Sequence, residues 1–327
     1  MTRLLPPEWA PQDWLWIGFP HEEAEWPGVI ARAQEQIAAY ANAVAESGQE
    51  VRLLVRDAAN EARAKSLVSA GVTLERRRYG DIWIRDTGPL TVIDAGERRA
   101  LRFGFNGWGG KYLMDGDREI GADIARDAGL PVEEHEWILE GGAIDVDGAG
   151  HLVTTAQCVP NANRNADFSC EDAAARMREA FGVDDVIWLG DGLVNDHTDG
   201  HVDNLARFVA PNALALPVPS GADDPNAGVY ADARARIGKT NLSLFDVPSP
   251  GRITMGDEVV PASYMNFAIT NALVVVPTYG SVHDAEAVSA IAELFPGRET
   301  IGLQADAVLA GGGSFHCASM QMPSEPD

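Results

Sequence analysis

FVAPNALALPVPSG at residues 208–221 and FAITNALVVVPTYG at residues 267–280 align without a gap, 59 positions apart. Each reads as an apolar strand, a tight turn at Asn-Ala and a second apolar strand. AIDVDGAGHLVTT (143–155) repeats the plan further upstream, with Asp-Gly-Ala-Gly at its turn. A helical pattern follows each hairpin: EDAAARMREAF (171–181), GVYADARARIG (228–238) and DAEAVSAIAELF (284–295). Their apolar residues recur at three- and four-residue spacing, and Ala, Leu, Arg and Glu dominate. Each helix then leads to one more short strand: DDVIWL (184–189), NLSLFDV (241–247) and ETIGLQ (299–304).

The N-terminal part follows this plan more loosely. GVIARAQEQIAAYANAVAESG (28–48) predicts a helix with a glycine stop, and EVRLLV (50–55) its strand. NEARAKSLVSAG (60–71) predicts a further helix that breaks the rhythm. PLTVIDAGERRALRFGF (89–105) predicts a hairpin, DREIGADIARDAGL (117–130) a helix and PVEEHEW (131–137) its strand. A unit of roughly 60 residues repeated through the chain predicts five α/β units around an axis. No low-complexity linker divides residues 1–327, so they read as one domain. In radial repeats, functional groups gather where strand ends and loops converge near the axis.

The chain carries 49 acidic and 25 basic side chains, a formal charge of −24. Such a surface repels nucleic acid and anionic membranes and attracts small cations. No apolar run is long enough to cross a membrane, and the opening MTRLLPPEWAPQDW does not read as a signal peptide. Three cysteines, Cys158, Cys170 and Cys317, with no CxxC pair, argue against a disulfide framework or a structural zinc site and for a reducing cytoplasm.

Four stretches place polar residues where the pattern expects apolar ones: DIWIRDTGP (81–89), WILEGGAIDVDG (137–148), NDHTDGHVDN (195–204) and GGGSFHC (311–317). In the last, glycines 311–313 would let the backbone pass close to a ligand beside Cys317, a nucleophile once its thiol is ionised. His201 and Asp203, two apart, would share one face of a strand and form an acid/base pair. By the same rule, His316 should face away from Cys317, and His197 should line the rim. Asp86 and Glu140, which read alone are turn or cap residues, would join Asp203 to set three carboxylates near one thiol. That cluster is costly unless a cation enters it. A guanidinium is such a cation: it is planar, permanently charged, presents N–H donors in pairs, and has an electron-poor carbon open to sulfur.

Seven stretches in order, WIRDTGP, FNGWGGKY (105–112), EGGAIDVDGAGHLVTT, NANRN (161–165), NDHTDGHVDN, ASYMNF (262–267) and GGGSFHC, resemble the agmatine deiminases. Those are grouped with the bacterial-type peptidylarginine deiminases among guanidine-modifying enzymes. The resemblance spans nearly the whole chain. It implies a five-bladed, pentein-like α/β propeller that hydrolyses agmatine to N-carbamoylputrescine and ammonia through a covalent S-amidino cysteine. Under it, Cys317 is the nucleophile and His201 the general acid/base. Asp86 and Asp203 grip the guanidinium, Glu140 orients the histidine and helps bind substrate, and Trp83 lines the pocket. No metal or organic cofactor is implied. The expected partner is a small cationic guanidine, with no nucleic acid and no membrane; the oligomeric state, including a homo-oligomer, stays open. The chain departs from the family at Ser314-Phe315, where Asn-Ile is more common, and at His197, where an acidic residue is common. Three alternatives stay open. One is deimination of free or peptidyl arginine. Another is a metal-dependent hydrolase built on Asp196, His197, His201 and Asp203. The third is a propeller that binds partners on its loops without catalysis.

Overall fold

The computed structural model describes residues 3–112 and 114–325. Among the described residues the strands form five sheets of three or four strands and one small hairpin. Four sheets are built alike. Leu90–Asp94 and Glu97–Gly104 pair antiparallel; the helix Asp117–Asp127 crosses over; Val132–Ile138 returns parallel. The next sheet uses Ile144–Val146, His151–Thr155, the helix Cys170–Phe181 and Asp185–Leu189. Arg207–Ala210, Ala213–Val218, the helix Ala227–Ile237 and Ser243–Pro248 make a third. Ala268–Ile269, Leu273–Thr278, the helix Asp284–Leu294 and Glu299–Gln304 make a fourth. The repeat read from the hairpins is thus a repeat of sheets.

The remaining sheet contains strands the sequence did not signal. Gln12–Gly18 pairs antiparallel with Ser319–Pro323 and parallel with Glu50–Val55, with the helix Ile30–Glu46 between the parallel pair. It is the same unit with its hairpin cut open, one strand supplied from each end of the chain. The irregular helix is shorter than predicted, Ala58–Lys65, and delivers Val72–Arg76 as a fourth, parallel strand. The small hairpin, Thr254–Met255 with Glu258–Val259, was also unsignalled.

Local chemistry explains the elements. Ser169 caps the helix Cys170–Phe181 in a reciprocal capping box with Asp172, and Gly182, in the left-handed region, ends it. Ile30–Glu46 buries Ala33, Ile37, Tyr40, Ala41 and Val44, one stripe of a 3.6-residue period. The middle strands ALALPV and LVVVPT are buried almost throughout, as strands covered on both faces should be. Three of the polar stretches singled out in the sequence, 81–89, 195–204 and 311–317, lie in the connections between strands, and the fourth, 137–148, runs from the end of Val132–Ile138 through Glu140 into Ile144–Val146.

Candidate active site

A pocket enclosing about 380 Å³ opens between those connections. Trp83 and Asp86, from a single turn of helix over Ile84–Thr87 and the residue before it, form one wall. Gly311, Gly312, Gly313 and Cys317 form the facing wall. A Cβ on Gly313 would lie 2.8 Å from the Trp83 ring and 3.0 Å from the Cys317 Cβ, so the glycine run lets indole and thiol share one small space. His197 stands at the rim as expected, with Thr198 beside it. A wider cleft of about 1730 Å³ lies along Pro6, Pro7, Gly148 and Pro323 but has no thiol or imidazole in its wall.

The other expected residues pack directly behind this pocket, around Gly142. A Cβ there would meet His201 Nδ1 at 2.7 Å, Asp86 Oδ1 at 2.9 Å and Asp203 Oδ2 at 3.0 Å. Its amide donates to Asp86 Oδ1 at 2.9 Å, while the Trp108 indole donates to Oδ2 at 2.9 Å. His201 lies with Nδ1 3.6 Å from Asp86 and Nε2 3.9 Å from Glu140, and neither ring nitrogen makes a hydrogen bond. Cys317 Sγ accepts from Asn266 Nδ2 at 3.0 Å and lies 3.6 Å from Asp203 Oδ2. Cys317, His201, Glu140, Asp86 and Asp203, scattered over more than two hundred positions of sequence, are thus brought together.

The local geometry corrects two expectations. His201 and Asp203 are not on a strand: His201 precedes a short 3₁₀ turn, Val202–Asn204, that contains Asp203. Cys317 and His316 are likewise on a turn, with the strand beginning only at Ser319, so alternation does not apply. His316 does not point away into the scaffold. Its Nδ1 lies 2.7 Å from Asp203 Oδ2 and its Nε2 3.1 Å from Glu8 Oε2.

The electrostatics follow from burial and neighbours. Burial, then the carboxylates of Asp203 and Asp86, push the Cys317 thiol well above its ordinary range. Burial opposes charge on His201, but Asp86, Cys158 and Glu140 outweigh it and raise the imidazole well above its usual value. Burial lifts Asp86; His201 offsets part of this and Asp203 adds to it. Burial also acts on Asp203 and Glu140, yet both are held low, Asp203 by His316 and Glu140 by His201 and Arg164. These surroundings favour the thiol form of Cys317 and the protonated form of His201.

Several participants escaped the sequence reading. Glu25, Asp81, Trp108 and Tyr112 complete the pocket wall. Trp108 sits in FNGWGGKY, where Gly107, Trp108, Gly109 and Gly110 all have positive φ; that glycine density was the available signal. Arg164 reaches both Glu140 oxygens through Nε at 2.9 and 3.0 Å. Cys158 lies against His201. Glu140, Cys158 and His201 are the one group of metal-ligand types within mutual reach among the described residues. The set proposed for a metal is not gathered: Asp196 Oδ1 caps Thr198, and His197 is at the rim.

Comparison with known proteins identifies the family. Residues 4–323 match the model of the Porphyromonas-type peptidyl-arginine deiminases. The agmatine deiminase of Stutzerimonas stutzeri is 34% identical, over 98% of this chain and 95% of that protein. The agmatine deiminase of Enterococcus faecalis, in a structure described as catalysing its reaction, superposes with a TM-score of 0.94 at 28% identity, over 99% of this chain and 97% of that one. That of C. jejuni, with substrate bound, gives 0.93 at 27% identity, over 99% and 97%. A match over nearly the full length, with the thiol, the imidazole and the carboxylates assembled, means that the chain belongs to the Porphyromonas-type peptidyl-arginine deiminase family.

Proposed function

We propose that this protein hydrolyses agmatine to N-carbamoylputrescine and ammonia. The observation that carries the choice of substrate is the pocket wall. It holds the Cys317 thiol and three carboxylates, Glu25, Asp81 and Asp86, but no arginine or lysine. An α-carboxylate would find no cation in that wall, whereas a molecule charged at both ends finds an acid at either. The agmatine deiminases among its relatives support the same substrate.

The chemistry follows from the charges. The guanidinium enters beside Asp86 and Asp203 and cancels the field that holds Cys317 protonated, so the thiol loses its proton to solvent through the open pocket when its target is in place. Sulfur attacks the central carbon to give a tetrahedral adduct. His201, in its protonated form, gives a proton to the departing nitrogen, ammonia leaves, and an S-amidino cysteine remains. The now neutral His201 takes a proton from water, hydroxide adds to the same carbon, and sulfur leaves, taking the proton of the new hydroxyl to restore the thiol as N-carbamoylputrescine is released. Glu140, fixed by Arg164, keeps His201 oriented between two carboxylates, and Trp83 stacks on the flat cation. General acid/base catalysis of this kind contributes roughly 100- to 10,000-fold.

The five sheets support a five-bladed α/β propeller in one domain over residues 1–327, with the site where their connections meet. None of the three cysteines is paired, which suits a cytoplasmic setting. No helix among the described residues is long and apolar enough to cross a membrane. The deciding experiment incubates the protein with agmatine, free arginine or a peptidyl arginine and measures ammonia, with Cys317→Ser as control. Agmatine should be turned over fastest and the serine variant should be silent. Faster release from either arginine form would overturn the substrate, and an active Cys317→Ser would overturn the mechanism.

A further inference from the structure

His316 has no part in the reaction just described, yet it is among the most tightly held side chains near the pocket. It is 3% exposed, and each ring nitrogen faces a carboxylate: Nδ1 faces Asp203 and Nε2 faces Glu8. An ionised carboxylate only accepts hydrogen bonds, so each ring nitrogen is placed to donate to one. Glu8 is itself anchored. Arg207 Nη2 pairs with its Oε2, the Ile269 amide donates to Oε1 at 2.8 Å, and Arg85 Nη2 lies 3.9 Å from Oε1. At the other end, His316 engages Oδ2 of Asp203, whereas Oδ1, fully buried, has no partner. A buried carboxylate oxygen left unpaired is costly and calls for a donor that arrives with a ligand.

We propose that His316 is a positioning residue for the deimination: clamped between Glu8 and Asp203, it fixes one oxygen of Asp203 and leaves the other for a guanidinium N–H. This rests on the deiminase reading of the site. It gives the N-terminal segment a function, because Glu8 reaches the reaction centre through one imidazole. It also accounts for the histidine beside the cysteine in GGGSFHC: one turn carries both the sulfur and the imidazole that aims the substrate's carboxylate partner. The charged and titratable groups facing Asp203 are His316, His201, Cys317, Asp86 and, beyond His316, Arg207. Removing His316 therefore leaves Asp203 with a weaker cationic environment, and its carboxyl titrates at higher pH.

The test is steady-state kinetics from pH 5 to 9 on the full chain, comparing the wild type with His316→Ala, His316→Asn and Glu8→Gln, each first checked by circular dichroism and melting. His316→Ala should raise KM roughly 10- to 100-fold, the loss expected for a hydrogen bond to a charged group. It should also move the acid limb of kcat/KM upward by about one pH unit. His316→Asn, whose amide can still reach Asp203, should recover most of the KM but not the acid limb. Glu8→Gln should move the acid limb in the same direction. Wild-type turnover of agmatine, or of whichever guanidine it prefers, decides the reading of the substrate. The variants decide the clamp. Folded His316→Ala with wild-type KM and an unmoved acid limb overturns it while leaving the deiminase intact. If His316→Ala fails to fold, His316→Asn and Glu8→Gln carry the same comparison, and an unmoved acid limb in both overturns the clamp.

Discussion

Four aspartates near the pocket show how far surroundings set what a side chain does. Asp203 is held low by an imidazole, Asp86 is lifted by burial, and Asp81 is lifted further by burial and by Asp117. Asp117 is pushed up to about 6 by burial, although the Gly80 and Asp81 amides both donate to its Oδ1, at 2.7 and 3.0 Å. Its Oδ2 has no partner. A carboxyl whose pKa is raised by folding favours the native state while protonated. Its contribution is full below the unfolded value near 4 and is lost as pH rises through about 6. At pH 8 the buried charge should cost on the order of 3 kcal/mol. Asp117→Asn keeps an acceptor for the two amides and removes the charge. Its melting temperature should exceed the wild type's at pH 8 and converge with it toward pH 4. A gain that persists at pH 4 would show that the cause is not ionisation.

At the scale of elements, the site is made by connections whose backbone is not regular. The loop Gly107–Gly110 places four consecutive residues at positive φ, with Trp108 at φ 52° and ψ 53°. A left-handed conformation costs a non-glycine residue roughly 1–2 kcal/mol. Strain of this kind persists where surrounding contacts enforce it. Here the Trp108 indole reaches Asp86, and the Asn106 side chain accepts from the Gly109 amide at 2.9 Å. Gly109→Ala would add left-handed strain at φ 81° and set a methyl 2.4 Å from Asn163 Nδ2, which itself donates to Asp199. The variant should lose roughly 1–3 kcal/mol of stability. Because the loop carries Trp108 and Tyr112, KM for agmatine should rise with it. Chemical denaturation and kinetics together check this, and a stability loss with unchanged KM would mean that the loop does not shape the pocket. The misplaced strand for His201 and Asp203 belongs to this scale too: two-residue spacing fits a strand, but a 3₁₀ turn after a glycine at φ 87° brings the pair together differently.

For the whole molecule, a charge of −24 surrounds a pocket that is itself acidic. Such a field draws a dication in and is screened by salt over about 10 Å at 0.1 M. The value of kcat/KM for agmatine should fall roughly three- to tenfold between about 20 mM and 500 mM salt, with kcat nearly constant. A flat dependence would assign the acidity to solubility alone. Closure of the first sheet acts at this scale as well. Ser319–Pro323 pairs with Gln12–Gly18 immediately after the turn that bears His316 and Cys317. Cys317, His316 and the N-terminal Glu8 are thereby tied together by one antiparallel pairing of strands about 300 residues apart in sequence.

By itself the sequence determined the repeat and the cast. Local periodicity and turn chemistry act within a dozen residues, so the hairpin, helix and strand of each unit were legible in FVAPNALALPVPSG and its counterparts. Cys317, His201, Glu140, Asp86 and Asp203 stood out because polar residues interrupted an apolar pattern, whereas Trp83 was signalled only by the family resemblance. Tertiary structure decided what depends on distant partners. The strands Gln12–Gly18 and Ser319–Pro323 exist as a pair across the length of the chain. Asp81, Glu25 and Trp108 reach the pocket from three separate connections. Arg164 meets Glu140, and His316 lies between Asp203 and Glu8. Charge states follow the same division: the ionisable groups are written in the sequence, but burial and close opposite charges, which exist only in the folded chain, set which of them carry charge.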